Sequence, residues 1–313
     1  MMIRRKFLGK ISSLMVVTAS GVLPTWSQTP KVSRLVIVGG AEDRLQDRII
    51  LRKFSEYCGG PQARIRIITA ASADPQGVWQ SYREAFHALG VGNVDRLAID
   101  DRESAQAPVV QAEILQADGI FMSGGDQSKL MGTLWGTAAY ESLHQSFHLN
   151  RCCIGGTSAG AAVMSRHMIA QGPSVLRPSK EAVDTDIGLG LLSQAVVDQH
   201  FSERRRLPRL LSTLAMRPDL LGVGIDEDTA LVIERGEGIE VIGQGTVTLV
   251  DPSQMQSNVD ELEVLDQIEM LGVQLHLLPA GHRYTVKSVG QGARSAPLRR
   301  AIQRLVAVGP IRG

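Results

Sequence analysis

Three times in the first half of this chain a short apolar run stops on paired glycines. Val36-Ile37-Val38 precedes Gly39-Gly40, Ile120-Phe121-Met122-Ser123 precedes Gly124-Gly125, and Cys152-Cys153-Ile154 precedes Gly155-Gly156. Runs without polar alternation read as strands buried on both faces, a property of parallel sheets. Residues 63–69 and 94–97 read as further strands. Helical spacing appears between them at 46–57, 75–89, 112–117 and 128–146. Repeated strand–helix units of this length predict an α/β fold of three layers, with a mostly parallel sheet flanked by helices. Beyond Gly222 the pattern turns to hairpins at 229–233, 238–242 and 245–250, so the C-terminal part is strand-rich. No repeat or long linker interrupts residues 31–313, which are read as one domain.

The first thirty residues stand apart. Arg4, Arg5, Lys6 and Lys10 precede an uncharged, mostly apolar run over 11–23, too short to span a bilayer, which takes about 20 residues. A basic head, a short apolar stretch and a polar exit describe an export signal. The adjacent arginines followed by Phe7-Leu8 resemble the twin-arginine type, so export to the periplasm or beyond is expected, with no stable membrane insertion after processing. Without this segment 29 basic residues face 32 acidic ones, and aromatics are only 4% of the chain. Neither the charge nor the ring content suits a nucleic-acid partner. Cys58, Cys152 and Cys153 are too few for a disulfide framework and read as small core residues. The oligomeric state stays open, a homodimer included.

Ligands of such sheets bind beyond the carboxyl ends of the strands. Gly156-Thr157-Ser158-Ala159-Gly160 lies there, between a strand and a helical run. Gly-x-Ser-x-Gly in that context is a nucleophile elbow that lifts the serine above the sheet, although a glycine-rich turn also cradles phosphate. Gly124-Gly125-Asp126-Gln127 offers amides for an oxyanion hole, with Gly125, Asp126 and Ala159 the expected donors. Val196-Val197-Asp198-Gln199-His200 ends a strand on a histidine able to serve as general base for Ser158. Arg204, Arg206 and Arg209 follow, either as a solvated helix face or as partners for a carboxylate. Gly39-Gly40 lacks the third glycine of a dinucleotide fingerprint and is the weaker motif. No cluster of His, Cys and Glu has metal-ligand spacing, so no metal or organic cofactor is expected.

Taken together, Val36 to Glu42, Gly124 to Gln127, Gly156 to Ala161, Asp198 to Phe201 and Gly224 to Ala230 resemble the cyanophycinase family of serine peptidases. The resemblance implies a fold like class I glutamine amidotransferases. It also implies cleavage of cyanophycin, a polymer with an aspartate backbone and arginine side groups, into β-aspartyl-arginine dipeptides. It casts Ser158 as nucleophile and His200 as base. Gln127, Asp198, Gln199, Arg204, Arg206 and Arg209 fall to the β-aspartyl pocket and its rim. The resemblance places the family's triad glutamate after the nucleophile helix, at Leu176, with Glu181, Asp184 and Asp186 the nearest carboxylates. A missing acid would weaken turnover. A related aspartyl dipeptidase, or a weakened relative that binds acidic peptides, therefore stays beside the exopeptidase reading.

Overall fold

Val36 and Val38 are buried on one face of the first strand, and Leu35 and Ile37 are buried on the other. That two-sided burial is why the strand carries no polar residue past Arg34, and it sets the sheet between two layers. The computed structural model describes residues 32–287 and 296–307; the export segment read at 1–30 lies outside them. The chain runs β1 (Arg34–Val38), α1 (Ile49–Cys58), β2 (Ile65–Ile68), α2 (Pro75–Ala88), β3 (Val94–Arg96), α3 (Pro108–Gln116), β4 (Gly119–Met122), α4 (Gln127–Leu134), α5 (Ala138–His148), β5 (Cys153–Thr157) and α6 (Ala159–Ala162). It continues with β6 (His167–Gln171), β7 (Asp184–Ile187), β8 (Ala195–Gln199), α7 (Leu207–Met216), β9 (Leu221–Ile225), β10 (Thr229–Glu234), β11 (Gly238–Gly243) and β12 (Thr246–Asp251). Last come β13 (Gln256–Ser257), β14 (Met270–Leu271), β15 (Gln274–Pro279), β16 (Arg283–Thr285) and α8 (Ala296–Val306).

Eight strands form the main sheet in the order β16-β11-β10-β1-β5-β4-β2-β3. The five from β1 to β3 are mutually parallel, and β10, β11 and β16 join antiparallel. Helices α1 and α2 cover one face through Phe54, Tyr82 and Phe86. On the other face lie α3, α4 and α5 together with the inner side of a second sheet, β15-β12-β9-β8. Leu210 and Leu214 of α7 pack on that second sheet's outer side, against Val196 and Val250. Cys58, Cys152 and Cys153 are buried and form no disulfide. Among the described residues no helix is long and apolar enough to cross a membrane.

Helix boundaries differ from the spacing in three places. The run at 128–146 is two helices, because Gly136 turns into the left-handed region at φ 66° and the Thr137 side chain caps the second helix by accepting from the Tyr140 amide. The run at 46–57 starts only at Ile49. Before it, the Asp43 carboxylate accepts from the amides of Leu45, Gln46 and Arg48, which hold its pKa down at about 2 and keep those residues in a loop. The third helix starts earlier than residue 112, at Pro108, a residue suited to the first helical position.

Candidate active site

Gly156 and Gly160 permit the turn at Ser158. A Cβ on Gly156 would lie 2.4 Å from the Gly160 carbonyl oxygen, and one on Gly160 would lie 2.3 Å from that of Met122. The backbone reverses between β5 and α6 by placing Ser158 at φ 51°, ψ −110°. A non-glycine residue holds such a conformation only when its surroundings over-determine it. Here the Ser158 carbonyl accepts from the amides of Ala161 and Ala162, and its own amide donates to the Val38 carbonyl at 3.1 Å.

His200 follows β8 and stands against this serine. Its Nε2 is 2.9 Å from Ser158 Oγ, and its Nδ1 is 2.6 Å from Glu227 Oε1. The carboxylate that meets the histidine is therefore that of Glu227, in the turn between β9 and β10, and the expectation at Leu176 is corrected. Leu176 is 96% exposed, and Glu181, Asp184 and Asp186 are exposed as well, at or before β7. With a carboxylate on the histidine, the argument for a weakened relative loses its basis. One signal lay in the sequence: Asp226-Glu227-Asp228 directly follows an apolar strand, at the carboxyl end where ligands bind.

All three parts hang from the end of β1. Consecutive carbonyls of Val38, Gly39 and Gly40 accept from the amides of Ser158, His200 and Asp228, at 3.1, 2.7 and 2.8 Å. Gly40 also forms the floor beneath the imidazole, since a Cβ there would lie 2.2 Å from the ring. The paired glycines that looked weakest in sequence thus build the scaffold of the site.

Gly125 adopts φ 140°, and Gly124 faces Ser158 so closely that a Cβ on it would lie 3.3 Å from the serine Cβ. Among the described residues the amides of Gly125 and Ala159 have no hydrogen-bond partner and are available to an oxyanion. Asp126 is different, and its expected role is corrected. Its amide donates to the Ala71 carbonyl at 3.0 Å, and its carboxylate caps α4 by accepting from Ser128 and Lys129.

The pocket residues divide by burial. Gln127 donates its amide to the carbonyls of Ile169 and Ala170, tying α4 to β6. Arg204 is exposed beside the site. Asp198 is fully buried and turned inward: Arg209 grips both its oxygens, at 2.8 and 2.6 Å, and Arg206 adds a third contact at 3.3 Å. Arg206 also donates to the carbonyl and side-chain oxygens of Gln199, and burial brings its pKa down to about 10. Asp198, Arg206 and Arg209 thus form an internal network under the histidine strand: Arg206 and Arg209 do bind a carboxylate, but it is the chain's own Asp198, which corrects their expected place in the substrate pocket. Asp198→Ala should cost about 3–5 kcal/mol of stability, measurable by urea unfolding, because it strands two buried guanidinium groups. No group of three or more His, Cys, Asp or Glu is placed to hold a metal among the described residues.

Residues 35–242 match the model of Peptidase family S51. A cyanophycinase of Geminocystis herdmanii is 41% identical over 82% of this chain and 94% of its own length, and one of Trichormus variabilis is 39% identical over 82% and 87%. The crystal structure of a peptidase from an acI-B1 Actinobacterium superposes with a TM-score of 0.58 at 25% identity, covering 81% of this chain and 97% of that one. The chain therefore belongs to peptidase family S51, the cyanophycinase family of serine peptidases.

Proposed function

We propose that this protein is an exported exopeptidase that hydrolyses cyanophycin or related isoaspartyl peptides to β-aspartyl-arginine dipeptides. The observation that carries the mechanism is the continuous line from Ser158 Oγ through His200 to Glu227, with contacts of 2.9 and 2.6 Å. His200 Nε2 takes the hydroxyl proton as Oγ attacks the scissile carbonyl, and Glu227 holds the imidazole by Nδ1 and stabilises its charged form. The amides of Gly125 and Ala159 receive the negative charge on the carbonyl oxygen. His200 then gives its proton to the departing amine, the C–N bond breaks, and water repeats the attack on the acyl-serine. Support for the substrate comes from the cyanophycinase relatives and from exposed Arg204, a cation at the rim able to pair with the α-carboxylate of an arginine side group.

Incubating the mature protein with cyanophycin and resolving the products by mass spectrometry tests this reading. β-Aspartyl-arginine is the expected product; intact polymer beside cleaved α-aspartyl peptides would favour the related dipeptidase. Export rests on Arg4, Arg5 and the apolar run after them, so a reporter fused to residues 1–30 should lose export when both arginines become lysine.

A further inference from the structure

Glu42 is a buried acid for which the chemistry above has no use. It lies two residues past Gly40, on the turn that supports His200, and its side chain reaches back to the nucleophile strand. Oε2 accepts from the Thr157 hydroxyl at 2.5 Å and Oε1 from the Tyr82 hydroxyl at 2.5 Å. Arg44 Nε stands 3.7 Å from Oε1 and its guanidinium lies over the Tyr82 ring, supplying the countercharge. Glu42, Thr157 and Tyr82 are all buried. Burial and the adjacent carboxylate push the Tyr82 phenol well above its ordinary pKa, so it remains the donor.

Two strained turns meet at this carboxylate. Ala41, its chain neighbour, has φ 49°, and Ser158, the neighbour of Thr157, has φ 51°. Glu42 and Thr157 are both buried, and opening their contact would leave a buried donor and acceptor unpaired, which is costly, so the contact resists opening. It cross-links the turn bearing the histidine's floor to the turn bearing the nucleophile.

We propose that Glu42 is a positioning residue that acts through Thr157 to keep Ser158 Oγ within reach of His200 Nε2. The inference rests on Ser158 and His200 being nucleophile and base. Its test is the rate at which a fluorophosphonate modifies Ser158, followed by intact mass, with melting temperatures recorded for every variant. Thr157→Val, which keeps the shape and deletes the donor, should slow modification by about 10- to 100-fold, the range expected from small misplacement of reacting groups. Thr157→Ser should restore the rate. Tyr82→Phe removes the outer hydrogen bond only and should lower the melting temperature while leaving the rate near wild type. In a Glu42→Gln background, Thr157→Val should add little, because the two residues act as one unit. Wild-type modification rates in folded Thr157→Val and Glu42→Gln would overturn the proposal, as would an equal slowing by Tyr82→Phe. His200→Ala separates this from failure of the catalytic reading. A wild-type rate in that variant would overturn the assignment of the base, whereas a slow His200→Ala beside a fast Thr157→Val would reject Glu42 alone.

Discussion

Glu227→Gln is expected to lower kcat by about 10⁴-fold with the fold intact, the loss seen when a triad acid is exchanged for its amide. The amide keeps the shape of the side chain but cannot stabilise the imidazolium, and it presents a donor as readily as an acceptor to Nδ1. Leu176→Glu should leave kcat unchanged, because a side chain that is 96% exposed has no path to the histidine. Steady-state kinetics on cyanophycin with both variants checks the pair. A large gain from Leu176→Glu with no loss from Glu227→Gln would return the acid to the loop after β6.

Ser158→Ala should reduce turnover by about 10⁶-fold, and His200→Ala by a similar factor, with little further loss in the double variant because the residues act as a unit. The alanine at 158 occupies an unchanged turn: Gly156, Gly160 and the Val38 carbonyl hold the elbow whatever the side chain. Its melting temperature should therefore stay near wild type while hydrolysis disappears. Product release measured by chromatography over a long incubation resolves such a residual rate, and a Ser158→Ala variant with more than a small fraction of wild-type turnover would remove the serine from the mechanism.

What the sequence made legible was local. Apolar runs closed by glycines marked β1, β4 and β5, and Gly-x-Ser-x-Gly marked the strand-to-helix reversal, because backbone constraints are written in the residues that obey them. His200 stood out as the histidine directly after an apolar strand. What stayed hidden depends on contacts between distant segments. Asp226, Glu227 and Asp228 are three carboxylates in a row, and the fold alone sorts them. Asp226 accepts from the amides of Ser202 and Thr246, and Asp228 from that of Asp43, which leaves Glu227 for the histidine. Asp126 lost its place in the oxyanion hole to Ala71, some fifty positions away, whose carbonyl takes its amide. The arginines after His200 divide likewise. Arg204 remains outside, while Arg206 and Arg209, at the start of α7, turn inward onto Asp198. The break at Gly136 was hidden because the apolar spacing carries on across it.

The most direct test of the Ser158–His200–Glu227 line is to react the folded protein with a fluorophosphonate and map the adduct by peptide mass spectrometry. One adduct per chain on Ser158 is expected, absent in Ser158→Ala, abolished in His200→Ala and markedly slowed in Glu227→Gln. An unmodified Ser158 in folded wild-type protein, or a modification rate indifferent to His200 and Glu227, would contradict it.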